Sequence, residues 1–105
     1  MKPPITDPEA DAELDKAIDY YEQQQAGLGG ELRSEVNRVI GEICKNPFLG
    51  APYQRTKARH FPIQRFPFVI YYMELTEAIW IIAIAHGKRR PGYWKKRLSR
   101  GTSAD

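Results

Sequence analysis

Residues 66–94, FPFVIYYMELTEAIWIIAIAHGKRRPGYW, constrain the fold more than any other stretch. From Pro67 to Met73 and from Ala78 to Ala85, β-branched and aromatic residues crowd together. Only Glu74, Leu75, Thr76 and Glu77 interrupt them, which predicts an antiparallel hairpin. Alternation along the second strand sends Ile79, Ile81, Ala83 and Ala85 to one face and Trp80, Ile82, Ile84 and His86 to the other. Both faces are apolar, so the strand belongs inside its sheet with a cover on each side. Gly87 then turns the chain, and Lys88, Arg89 and Arg90 emerge at the strand end ahead of Pro91, Gly92, Tyr93 and Trp94.

The preceding residues predict one cover. Thr6 and Glu9 have capping-box spacing, Asp7 is the alternative N-cap and Pro8 suits a first turn, so a helix opens here. Ala10, Leu14, Ala17, Ile18 and Tyr21 form its apolar stripe, and it ends near Ala26 before Gly27. A second helix from about Glu31 to Lys45 carries Leu32, Val36, Val39, Ile40 and Ile43, and Asn46-Pro47 stops it. The short Gly-rich link makes the pair an antiparallel hairpin whose stripe needs a sheet; its acidic outer face reads as a solubilising surface. Phe48–Lys57 reads as a loop, Ala58–Arg65 as a strand that Pro62 confines to an edge, and Lys88–Arg100 as a basic segment with a short helical turn. Residues 1–5 are an edge strand at most, and both 1–5 and 101–105 are expected to fray. The fold class is therefore α+β, one domain over 1–105: an N-terminal helical hairpin packed on an antiparallel sheet, with a short basic C-terminal segment.

Charge is segregated along the chain. Residues 1–50 hold ten acidic and five basic groups, whereas residues 51–105 hold eleven basic and three acidic ones. Such a field favours a polyanion or an acidic protein as partner. The lone Cys44, beside Ile43 on an apolar helix face, reads as core and excludes an internal disulfide. No export signal is evident and no apolar run approaches the ~20 residues that span a bilayer, so the expectation is a cytoplasmic chain with no membrane role.

Along this order of elements lie Ala17-Ile18-Asp19-Tyr20-Tyr21-Glu22, Gly27-Leu28-Gly29, Asn46-Pro47 with Leu49-Gly50, Arg65-Phe66-Pro67-Phe68 with Tyr71-Tyr72, and Ala85-His86-Gly87 with Arg89-Arg90-Pro91 and Tyr93-Trp94. In these motifs and their order the chain, from about Asp7 to Leu98, resembles the RelE/ParE superfamily of toxins from bacterial type II toxin–antitoxin modules. The resemblance implies one of two activities. RelE-like members cleave mRNA in the ribosomal decoding site without a metal; ParE-like members poison DNA gyrase and are not hydrolases. In both, a cognate antitoxin from the same operon wraps the toxin in a hetero-oligomer, which would supply the second cover for the sheet.

Metal-free RNA cleavage needs a base for the 2′-hydroxyl, cations for the pentavalent phosphate and an acid for the leaving oxygen. His86 is the best acid or base by type, although a hydrogen-bonded structural role is the plainer one. The resemblance places the phosphate-contacting arginine on Arg89, through the Lys88-Arg89 step, and Arg65 reaches in from the neighbouring strand. His86, Arg89 and Arg65 are thus the expected catalytic set. Lys88, Arg90, Tyr93, Trp94 and Lys95 would hold RNA or another target. Two features depart from the RelE pattern: Phe68-Val69-Ile70-Tyr71 lacks the strand arginine of RelE nucleases, and His86-Gly87 looks like the last strand end of ParE-like toxins. The expectation is a toxin that arrests growth by ribosome-associated mRNA cleavage with no cofactor. The alternatives are a gyrase inhibitor and a non-toxic member that only binds its antitoxin.

Overall fold

The computed structural model describes residues 1–102. Its elements are β1 (Pro4–Thr6), α1 (Pro8–Gln24), α2 (Leu28–Lys45), β2 (Ala51–Pro52), β3 (Arg59–Pro62), β4 (Phe68–Glu74), β5 (Ile79–His86), a 3-10 turn (Lys95–Arg97) and α3 (Leu98–Thr102). The sheet order is β1-β5-β4-β3-β2. The α+β class holds, with the sheet mixed: β1 runs parallel to β5, Pro4 opposite Ile79 and Thr6 opposite Ile81, while every other pair is antiparallel. Pro4 and Ile5 are therefore laddered instead of frayed, and the prolines are tolerated because β1 is an edge. At the other end Gly101 and Thr102 belong to α3, and Ser103–Asp105 lie outside the described residues.

Local chemistry accounts for the helical hairpin. Asp7 is the N-cap of α1, its carboxylate accepting the Glu9 N–H at 2.9 Å, with Pro8 in the first turn. Helix α2 starts earlier than its sequence pattern indicates, at Leu28, because Glu22 of α1 reaches across the link. Its carboxylate accepts the Gly27 N–H at 2.9 Å and the Gly29 N–H at 3.0 Å, which caps α2 from outside. Gly27 turns the chain at φ +89°. Gly29 lets the helices touch: a Cβ there would lie 2.6 Å from the Ile18 carbonyl oxygen.

The register of β5 differs from simple alternation. Tyr71 stands opposite Ala83 and Tyr72 opposite Ile81, so Ile82 is one residue too many, a β-bulge. The phase reverses there. Ile79, Ile81 and Ile84 share the core beneath the helices with Leu14, Leu32, Val36, Val39, Ile43, Ile70 and Tyr72. Trp80, Ile82 and Ala83 occupy the other face. His86 consequently lies on the helix side, opposite Phe68 with ring centroids 5.3 Å apart.

The second face is covered by the chain itself. Tyr53 and Ala58 from the β2–β3 hairpin and Trp94, Tyr93 and Leu98 from the C-terminal segment close over Trp80, Ile82 and Ala83. Trp94 is fully buried, its ring 4.7 Å from that of Tyr71 and 5.2 Å from that of Tyr53. The assignment of Trp94 to a binding surface is thereby corrected: the apolar face of β5 claims its indole. A partner segment is not needed as the second cover. Cys44 is buried as expected, and burial pushes its thiol above the usual range. Among the described residues no helix is long and apolar enough to cross a membrane.

Replacing Trp94 by Ala should cost about 3–5 kcal/mol, as for other fully buried large aromatics. The check is the urea midpoint; an unchanged midpoint would mean that the indole is not a core group.

Candidate target-binding site at the end of β5

The turn after β5 is tied down by backbone bonds. Gly87 N–H donates to the Pro67 carbonyl at 2.8 Å and Arg89 N–H to the His86 carbonyl at 3.0 Å. His86 Nδ1 accepts the Lys88 N–H at 3.0 Å. Its imidazole is thus a half-buried group already hydrogen-bonded within the turn.

Arg89 is held by stacking. Its guanidinium lies 3.8 Å from the centroid of the Tyr93 ring, and Arg97 approaches the same ring at 5.2 Å. The Tyr93 hydroxyl donates to Glu13 at 2.5 Å. Glu13 also accepts the Ile84 N–H at 3.0 Å and pairs with Arg97 Nη2 at 2.8 Å, while Arg97 Nη1 donates to the Ile82 carbonyl at 3.0 Å and Arg97 Nε lies 2.6 Å from Glu9. Beyond Thr6, β5 has no strand on its outer side, and the Glu13–Arg97 pair satisfies the edge groups that a strand would otherwise meet. Tyr93 titrates well above the ordinary tyrosine range, first because it is buried and then because it donates to a carboxylate.

Two hollows flank this stack and share His86 and Arg89. One, of about 410 Å³, lies against α1 and is lined by Lys16, Tyr20, Tyr21 and Phe68; the other, of about 200 Å³, lies against Tyr53, His60, Tyr71 and Arg90. Lys88, Arg89 and Arg90 are exposed and form no ion pair among the described residues. The site therefore presents exposed cations, Arg89 among them seated on Tyr93, beside aromatic walls, suited to a carboxylate or a phosphate. No three His, Cys, Asp or Glu side chains converge as a metal site among the described residues.

The expected catalytic set does not assemble. Arg65 occupies the β3–β4 turn at φ +72°, pairs with Glu31 at 2.5 Å and lines a separate hollow with Ser34, Glu35 and Arg38. Its carboxylate partner on α2 draws it to the helix edge, away from His86 and Arg89. Of the other expected contacts, Lys95 is exposed, hydrogen-bonds Gln54 and lies 5.7 Å from the Tyr53 ring centroid, while Tyr93 is partly buried as the platform for Arg89. Glu13 and Tyr20 were missed, and Arg97, expected with Lys95, Lys96 and Arg100 in an exposed electrostatic patch, is buried instead. Glu13 sits three residues after Ala10 and four before Ala17, within the apolar stripe of α1, and that position is the signal that sets it apart from the solvated acids.

Replacing Glu13 by Ala leaves buried Arg97 without the carboxylate that accepts from both of its Nη groups, with only the half-exposed Glu9 beside it, and should cost about 3–5 kcal/mol, read from urea unfolding. The Tyr93 shift has a defined sign. Unfolded tyrosine loses its proton near pH ~10 whereas the folded group keeps it, so stability is full below that pH and falls as pH rises further. Tyr93→Phe should make that alkaline fall shallower in urea midpoints taken between about pH 8 and about pH 11.

Comparison with known proteins follows the same lines. No curated protein matches the chain. A solved chain described as "Chromosomal ParDE TA system from P. aeruginosa" is 20% identical, with a TM-score of 0.64 over 82% of this chain and 96% of that one, which shows a shared fold. The family model for the ParE toxin of the type II toxin–antitoxin system parDE matches residues 5–91, from β1 to the turn after β5. The broader RelE/ParE resemblance therefore narrows to one branch, and the chain belongs to the ParE toxin family.

Proposed function

We propose that this chain is the toxin of a type II toxin–antitoxin module, that it arrests growth in the cytoplasm by binding DNA gyrase, and that it breaks no bond in nucleic acid. A cognate antitoxin encoded beside it holds it inactive. The observation that carries this reading is the ParE family match over residues 5–91. It moves the assignment from mRNA cleavage, the first expectation, to the gyrase alternative.

The geometry is in keeping with a binding surface. Arg65 is engaged by Glu31, and the His86 ring is hydrogen-bonded within its own turn. Lys88, Arg89 and Arg90 present cations to a partner, with the Arg89 guanidinium resting over the Tyr93 ring and exposed to a carboxylate or phosphate.

The test is pulse labelling minutes after induction of the chain alone. Thymidine incorporation should collapse before methionine incorporation; the reverse order would overturn the reading in favour of mRNA cleavage. Arg89→Ala should weaken gyrase binding about tenfold and reduce its salt dependence, without unfolding the protein.

A further inference from the structure

Between Ile43 and Met73 the chain carries five cations, Lys45, Arg55, Lys57, Arg59 and Arg65, and no carboxylate. Within this run lies the loop that joins α2 to β2, and it is held rigidly. Asn46 Oδ1 accepts the Phe48 N–H at 3.2 Å, and the Leu49 N–H donates to the Asn46 carbonyl at 2.9 Å. The Gly50 N–H donates to the Tyr72 hydroxyl at 2.8 Å, and that hydroxyl donates to the Pro47 carbonyl at 2.7 Å. Arg59 donates to the Gly50 carbonyl at 2.8 Å. Tyr72 is wholly buried, so the loop is fastened to the core and not merely to itself. Gly50 fits so closely that a Cβ there would lie 2.7 Å from the His60 carbonyl oxygen.

The tip of this fastened loop is apolar and in water. Phe48 is 70% exposed and Leu49 37%. The Arg59 guanidinium lies 4.8 Å from the Phe48 ring centroid and supports the ring on one side. Nothing in the fold requires an aromatic here, since the hydrogen bonds that shape the loop use the backbone, Asn46, Arg59 and Tyr72. An exposed aromatic on a loop with little freedom left to lose has the character of a binding hot spot.

We infer that Phe48 and Leu49 are the apolar anchor with which the chain grips gyrase, seated in an apolar pocket of that protein rimmed by carboxylates. The inference rests on the gyrase reading above and adds a second surface to the β5 terminus. Charge identifies the rim: Arg59 lies against the Phe48 ring, and farther along the β2–β3 hairpin Arg55 and Lys57 are exposed and form no ion pair among the described residues. The apolar tip identifies a protein. A nucleic-acid backbone would meet the cations but offers Phe48 only a base step to wedge apart, with the unstacking that entails.

The experiment measures binding of the purified full chain to purified gyrase and, separately, to a DNA duplex. Phe48→Ser should weaken gyrase binding about thirtyfold or more at an unchanged melting temperature, since the ring is solvent-exposed. Arg55→Glu with Lys57→Glu should weaken it as well and flatten its salt dependence. Equal binding of gyrase by the wild-type and Phe48→Ser chains would overturn the anchor and leave the gyrase reading standing. A wild-type chain that does not bind gyrase would overturn both. Loss of duplex binding in Phe48→Ser with gyrase binding intact would make the partner a nucleic acid and overturn the protein anchor.

Discussion

Burial of β5 on both faces is the constraint from which the rest of the structure follows. Every residue from Ile79 to Ala85 is buried, and a strand so apolar is stable in water only if both sides of its sheet are covered. The helical hairpin covers one side. The β2–β3 hairpin and the segment around Trp94 cover the other, so the basic tail of the chain is also part of its core.

The edge of that strand raises a second demand. Strand β1 pairs with β5 only as far as Ile81, which leaves the backbone groups around the Ile82 bulge facing outward. Glu13 and Arg97 meet them with side chains, and the same pair ties α1 to the C-terminal segment. A carboxylate that accepts from Ile84, Tyr93 and Arg97 together is well compensated for its desolvation. Because Tyr93 hangs from Glu13 and Arg89 stacks on Tyr93, a buried ion pair sets the position of an exposed cation. The structural network and the candidate target surface are therefore continuous.

Two surfaces of different chemistry result. At the β5 terminus, cations stand on an aromatic platform, and electrostatics of that kind govern encounter and orientation. Three strands across the sheet, just before β2, Phe48 and Leu49 project from a loop pinned by Tyr72, where apolar contact would govern residence. On the reading proposed above, the first surface would steer the partner and the second would grip it.

Much of the fold was legible in the chain because its signals are local. Asp7-Pro8 starts a helix, Gly27 turns the chain, Asn46-Pro47 ends the second helix, and the two apolar runs around Glu74–Glu77 make a hairpin. Each depends on neighbours a few residues away. The cationic strand end was legible for the same reason. What escaped were features decided between distant residues. The extra residue at Ile82 shows only in its register with β4, and it moved His86 to the helix side. Arg65 was drawn to Glu31, thirty-four residues before it, and Trp94 was buried by Tyr53 and Tyr71. The sequence by itself determined which segments are helix, strand and charged end, through propensity and periodicity. The tertiary structure alone decided which of the cations and aromatics stand together, because register, ion pairing and burial are set by long-range contacts that no local pattern encodes.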